Sequence, residues 1–323
     1  MAGRRVFVSG VGGELGIQVA SMLEEEPWVG AIAGTDADPP RRRLKRTAYH
    51  RIHPDEHDRI VSTVIDFNPH VLVHVGVWEP DARAAPQAAA SLTDQAATSI
   101  VGAAAECSAL ESVIVRSGIQ IYGRARGALT RPDEFAPIRP TSEYGRTLAD
   151  IERTAASVGR RVGVTVGAVR LASVIGPHVP SPLGRILRLP AVPFAAPANP
   201  AFAVIRQTDA ARAIVAAARE HLAEPVNVVA NGAITATQAA RRGRRLSIPV
   251  VGPQWPVAGR LSHLTGAPMP DHVVETFRRG HLADNGRMLE LLGLVPEQTT
   301  PDVIDDLYGW PSIVRRPARK QIA

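Results

Sequence analysis

The chain is short of cysteine, lysine, aromatic residues and long apolar runs. Cys107 is the single cysteine among 323 residues, so no internal disulfide framework exists and a reducing cytoplasmic setting is expected. No apolar segment approaches the roughly 18 residues that a membrane-spanning helix needs. The opening MAGRR leads into a run too brief and too glycine-rich for a secretory leader. Lysine occurs only at Lys45 and Lys320, so arginine carries nearly all of the +6 formal charge. Those arginines are scattered, apart from Arg41–Arg43 and the tail RRPARK, and aromatics make up only 4%. The chain therefore has no stacking platform of the kind single-strand binders use, and nucleic acid is not expected as a partner.

What is present is an alternation. Apolar, β-branched runs occur at 4–10, 30–36, 70–76, 112–118 and 163–172, with another near 226–230. Helical patterns fill 14–26, 56–67, 91–108, 143–158 and 208–220. Near-continuous apolar strands separated by helices predict a Rossmann-type, doubly wound parallel α/β sheet covered on both faces. After about residue 173 a proline-rich stretch reads as an irregular excursion over a pocket. The predicted division is a dinucleotide-binding domain over 1–172 plus about 203–230, and a smaller substrate-binding region over 173–202 plus about 231–312. Residues 313–323 read as a disordered tail.

The first strand runs into VFVSGVGGELGIQVA, which places Gly10, Gly13 and Gly16 between strand and helix, with Glu14 and Leu15 opening the helix. A tight turn and a close approach to pyrophosphate both require residues without a β-carbon. The helix start offers free N–H groups and a positive dipole end. Asp36 falls at the tip of the second strand, where a carboxylate accepts hydrogen bonds from the adenosine ribose. It repels a 2′-phosphate and so favours NAD; the neighbouring Arg41–Arg43 leave NADP open.

The spacing G-x-x-G-x-x-G resembles that of the extended short-chain dehydrogenase/reductases, the group of nucleotide-sugar epimerases and dehydratases. PHVLVHVGV (69–77), VIVRSGIQIYG (113–123), VRLASVIGP (169–177), RQTDAARAIVAA (206–217), VNVVANG (226–232) and the segment 284–310 are similar to that family's later motifs, in order. The resemblance implies a small-molecule substrate of nucleotide-sugar or related polyol type, and a homodimer through the Ala-rich helices 91–108 and 143–158. It places Val75, Gly76, Val77 and Thr98 beside the cofactor, and Ser173 and Arg170 in the substrate pocket.

The family's chemistry rests on a serine or threonine, a tyrosine, and a lysine four residues after it. The lysine's charge lowers the tyrosine pKa, and the tyrosine exchanges a proton with a substrate hydroxyl. Here Tyr144 takes the tyrosine position and also borders the cofactor, but Leu148 stands where the lysine belongs. Gly118 stands at the serine position with Ser117 before it, so Tyr144 and Ser117 are the catalytic candidates. Arg116 and Arg170 remain possible sources of the missing charge. At an ordinary pKa near 10, only about one tyrosine in a thousand is ionised at neutral pH. Two readings follow: an oxidoreductase or epimerase with a non-standard mechanism, or a non-catalytic NAD-binding sensor. No metal is expected. His50, His53 and His57 read as solvated loop histidines, His74 as packed and satisfied, and Cys107 as core.

Overall fold

The computed structural model describes residues 3–81, 85–264 and 267–310, so the predicted tail lies outside the described residues. The first half runs β1 (Arg4–Ser9), α1 (Glu14–Leu23), β2 (Val29–Asp36), β3 (Thr47–Arg51), α2 (His57–Phe67), β4 (Val71–His74), α3 (Pro86–Ala104), β5 (Ser112–Gly118), α4 (Glu143–Val162) and β6 (Thr165–Leu171). Then come β7 (Ser173–Ile175), α5 (Pro182–Leu187), β8 (Ala191–Ala195), β9 (Ala201–Phe202), β10 (Val204–Arg206), α6 (Gln207–Arg219) and β11 (Pro225–Val228). The chain closes with β12 (Ile234–Thr235), α7 (Ala236–Arg242), β13 (Leu246–Val250), α8 (Trp255–Leu264), α9 (Asp271–Arg279), α10 (Gly286–Leu292) and α11 (Thr300–Gly309).

Seven parallel strands form the central sheet in the order β11-β6-β5-β4-β1-β2-β3. The inner strands are apolar throughout because both faces are covered: Val6, Phe7, Val8, Leu72, Val73 and Ile114 are fully buried. Helix α1 packs with α6 on one face, while α2, α3 and α4 pack in sequence on the other. The chain leaves β1 for β2 on one side and returns to β4 on the other. That reversal opens a crevice at the carboxyl ends of β1, β2 and β4, the usual ligand position in such sheets.

Two elements differ from the sequence reading. His50 belongs to edge strand β3, not to a loop; this strand is mostly exposed, so its periodicity is faint. The proline-rich stretch is not simply irregular, because β7 pairs β10, β9 pairs β12 and β8 pairs β13. These pairs and α5, α7, α9 and α11 enclose a second apolar cluster built on Ile175, Leu183, Phe202, Trp255, Phe277 and Ile304. Phe202 and Phe277 meet edge-to-face at 6.2 Å. Helix α10 contributes Met288 and Leu292 to the first cluster instead. Among the described residues no helix is long and apolar enough to cross a membrane.

Candidate functional site

The glycine loop shows two kinds of glycine. Gly10 adopts φ +81°, and a β-carbon there would lie 2.6 Å from the Gly76 nitrogen. A β-carbon on Gly16 would fall 1.9 Å from the Gly10 carbonyl oxygen, so this glycine is what lets α1 sit against the strand. Gly12, outside the three-glycine pattern, is as crowded: its β-carbon would lie 2.0 Å from the Asp38 carbonyl oxygen. Gly13 is different. It caps α1 in an extended conformation at φ −74°, and nothing of the protein comes nearer its would-be β-carbon than 3.5 Å. No side chain caps this helix, so its first N–H groups face outward unclaimed by a capping residue.

Asp36 closes the loop from β2. Its carboxylate accepts the Gly12 N–H at 2.9 Å and the Asp38 N–H at 3.1 Å. Burial raises its pKa, and those two backbone hydrogen bonds oppose the rise without cancelling it. Beneath the loop, Ser9 Oγ and His74 Nδ1 are 2.7 Å apart. His74 Nε2 is buried without a partner, so the histidine is packed but only half satisfied.

A cleft of about 550 Å³ lies over this loop. Gly10, Gly13, Glu14, Leu15, Gly16, Asp36, Val75, Gly76 and Val77 border it, together with Asp38, Arg41, Trp78, Glu79, Arg116 and His178. The strand order gives the cleft two ends. Asp36, Asp38 and Arg41 mark the β2 end, while Glu79 and Arg116, after β4 and on β5, mark the other. Two glycines that a protein contact does not require, Gly13 and Gly76, thus sit on the wall of an open cleft.

The remaining candidates lie off this surface. Thr98 is exposed on α3, and Leu92 is the residue of that helix that borders the cleft. Six helical positions separate the two, which turns Thr98 about 120° away from the cleft-facing side. Ser117 follows the cleft-lining Arg116 on an alternating strand, so it faces away; its hydroxyl is buried and unpartnered. Ser173 opens β7 opposite Val204, and its neighbour Val174 reaches the cleft instead. Arg170 is 2% exposed and fully engaged. It holds Glu152 bidentately at 2.9 and 2.7 Å, and donates to the Tyr122 hydroxyl at 2.9 Å and the Glu134 carbonyl at 3.0 Å.

Tyr144 begins the first turn of α4 and is 6% exposed, behind the cleft wall. Burial pushes its hydroxyl pKa well above the ordinary value, Arg116 opposes this through charge and a hydrogen bond, and Glu79 reinforces it. This is the opposite of what a general base needs. Leu148, one turn on, is fully buried. A side chain at Gly118 would meet Gln120 Oε1 at 2.4 Å and Leu148 Cδ1 at 3.0 Å, so neighbouring groups fill both positions.

Three residues at this end were not singled out by the sequence. Glu79 follows β4 in VWEP, where a charged residue just past a strand's carboxyl end was a usable signal. Asp271 and His272 start α9, far along the chain, with no local pattern to mark them. The His272 ring lies 4.7 Å from the Tyr144 ring at 41°. Its Nε2 is 3.0 Å from Glu79 Oε1 and its Nδ1 is 3.7 Å from Asp271 Oδ1. Burial alone would lower the His272 pKa, but Asp271 and Glu79 together raise it. Among the described residues no group of His, Cys, Asp and Glu is arranged to hold a metal ion. His53 pairs with Asp55 at 2.5 Å and His57 with Ser99 at 2.8 Å.

A model of the NAD dependent epimerase/dehydratase family matches residues 6–230. An uncharacterized protein of Mycobacterium tuberculosis is 26% identical over 315 residues, covering 94% of this chain and 83% of its own. A UDP-glucose 4-epimerase of Thermotoga maritima, solved with UDP-glucose, superposes with TM-score 0.72 at 16% identity, covering 94% of this chain and 97% of the other. A UDP-glucuronic acid 4-epimerase of Bacillus cereus, solved in complex with NAD, gives 0.72 at 15% identity with the same coverage. A dTDP-glucose 4,6-dehydratase of Bacillus anthracis, also solved in complex with NAD, gives 0.70 at 14% identity, covering 95% of this chain and 96% of the other.

Proposed function

The chain belongs to the NAD-dependent epimerase/dehydratase family, and from that premise we propose that it binds NAD in the cleft over α1 and acts on a nucleotide sugar or related polyol without using Tyr144 as its base. The observation that carries the reading is Gly13. No protein contact demands a glycine there, whereas a pyrophosphate lying on the bare helix start does. Gly13, Glu14, Leu15 and Gly16 would hold the phosphates, Asp36 the adenosine ribose, and Val75, Gly76 and Val77 the span between the two ends. The bound dinucleotide would supply a hydride acceptor. The residues' part is to orient the substrate and move its proton, and Glu79 and Arg116 are the charged groups bordering the cleft at the β4–β5 end. The solved relatives that hold UDP-glucose or NAD support both the cofactor and the substrate class.

Asp36 and Asp38 together disfavour a 2′-phosphate, which supports NAD over NADP. Arg41 borders the same end and supports the second choice. NADH fluorescence titration of the full chain tests this: NADH should bind at least about tenfold tighter than NADPH. Equal affinity, or none, would refute the cofactor assignment. Tyr144→Phe should leave NADH affinity and any nicotinamide reduction with UDP-glucose within about twofold of the parent. A loss of several orders of magnitude would reinstate the tyrosine.

The buried, occluded Tyr144 also favours a second reading, a sensor that binds NAD and turns nothing over. Absence of nicotinamide reduction across a panel of nucleotide sugars, with binding intact, would select it. A homodimer through α3 and α4 would place a groove of about 240 Å³ in its seam, where small residues such as Ala90, Ser91 and Ala97 are joined by Asp94 and Asp150. Light scattering of the full chain would sink it by returning a monomer mass.

A further inference from the structure

The β4–β5 end of the cleft is backed by a carboxylate–imidazole–carboxylate row that crosses from one lobe to the other. Glu79 borders the cleft and its side chain is 16% exposed; His272 is 1% exposed; Asp271 is 46% exposed at the surface. Each ring nitrogen therefore addresses a different carboxylate, one in the cleft and one in water. Asp271 is fixed by accepting the Glu143 N–H at 2.7 Å, and it also accepts the His272 backbone N–H at 2.7 Å. The Tyr144 ring covers one side of the imidazole. His272 Nδ1 is buried with no hydrogen-bond partner, Asp271 Oδ1 standing 3.7 Å away, so the row conducts a proton only when these two atoms close to hydrogen-bond distance.

We propose that Glu79, His272 and Asp271 form a proton path joining the inner end of the cleft to solvent, in place of Tyr144. It rests on the dehydrogenation proposed above. When a substrate C–OH is oxidised, the O–H bond breaks and its proton bonds to the free oxygen of Glu79. The C–H hydrogen leaves with its electron pair to the oxidised nicotinamide dinucleotide, and a C=O bond remains. From the neutral ring protonated at Nδ1, Glu79 passes its proton to His272 Nε2, giving the imidazolium, and Nδ1 then gives its proton to Asp271, which exchanges with water. Reduction runs the same path backwards, and that reverse passage returns the ring to its starting tautomer. The two carboxylates favour the charged ring, which burial by itself would not allow. The other titratable or charged groups around the row are Tyr144 and Glu143 on α4, Arg116 on β5, Glu275 one turn further along α9, and His281.

The test needs no substrate. The full chain carrying ¹⁵N-histidine is titrated by NMR as parent, Glu79→Gln and Asp271→Asn, and exchange of the His272 ring protons with water is measured. The parent ring should titrate above the free imidazole value of about 6.5. Glu79→Gln should lower the midpoint by about one pH unit. Asp271→Asn, at an exposed site, should slow ring-proton exchange by about tenfold. A parent ring that stays neutral at pH 6, or an exchange rate indifferent to Asp271, would overturn the path. NADH titration of the same samples reports separately. Absent binding with the expected histidine behaviour sinks the proposed function and leaves the path, whereas intact binding with a neutral ring sinks the path alone.

Discussion

Leu148 and Gln120 set what any restoration of the tyrosine mechanism would require. Leu148 is wholly enclosed, and the Gln120 side chain already occupies the space in front of Gly118. A lysine at 148 would bury a charge in a fully enclosed position beside Gly118. Leu148→Lys is therefore expected to cost about 3 kcal/mol or more in urea unfolding, and to leave Tyr144 un-ionised at neutral pH. Unchanged stability with a tyrosinate signal appearing near pH 8 would show that the pocket still accepts the pair. At this scale the sequence was informative about what is absent, because the four-residue spacing from Tyr144 is local. It was silent on what replaced it. Gln120 is seen to fill the space at Gly118 only once the 3-10 turn Ile119–Tyr122 is folded, and Arg170, expected in the substrate pocket, is claimed by Glu152 and Tyr122 from other elements.

The β1–α1 turn separates glycines that packing requires from Gly13, which packing does not require and which the proposed function assigns to the cofactor. Gly16→Ala should destabilise the chain by several kcal/mol, since its β-carbon would collide with backbone that cannot yield. Gly13→Ala should leave the melting temperature nearly unchanged yet weaken NADH binding by about tenfold or more. A folded Gly13→Ala variant that binds NADH as tightly as the parent would contradict a pyrophosphate on this helix. The turn and Asp36 were legible because strand, loop and helix are adjacent in sequence. Strand β3 was not, because an exposed edge strand carries little apolar alternation. Thr98 was misplaced for a helical reason: a motif position fixes a residue along α3, but only the packing of α3 against β4 and α4 fixes which side faces the cleft.

At the scale of the molecule, three buried histidines among the described residues set opposing responses to pH. Burial holds His74 down to about 4 and His281 down to about 3. Both stay neutral in the fold while the unfolded chain takes up protons below about 6.5, so their contribution is lost as pH falls from there. The expected slope is about 1.4 kcal/mol per pH unit for each histidine. His272 has the opposite sign: its raised pKa stabilises the fold below about 6.5, and that stabilisation disappears as pH rises through the folded value. Two groups outweigh one on the acid side, so the melting temperature should fall steadily between pH 6.5 and 4.5. A flat profile there would mean that water reaches these side chains in the folded state. The lobe that delivers His272 was the least legible part of the chain, since its strands are two to five residues long and pair across distant segments.

That α9, late in the chain, supplies His272 behind the cleft-lining Glu79 has a consequence for how the protein is made. Translation delivers β1 to β5 first, and His272 leaves the ribosome on the order of ten seconds after Arg116. During that interval the glycine loop and Asp36 are already synthesised while the carboxylate–imidazole row still lacks its histidine. Any coenzyme captured then would meet a cleft unable to sequester a reaction, and docking of the late helix would be the event that arms it.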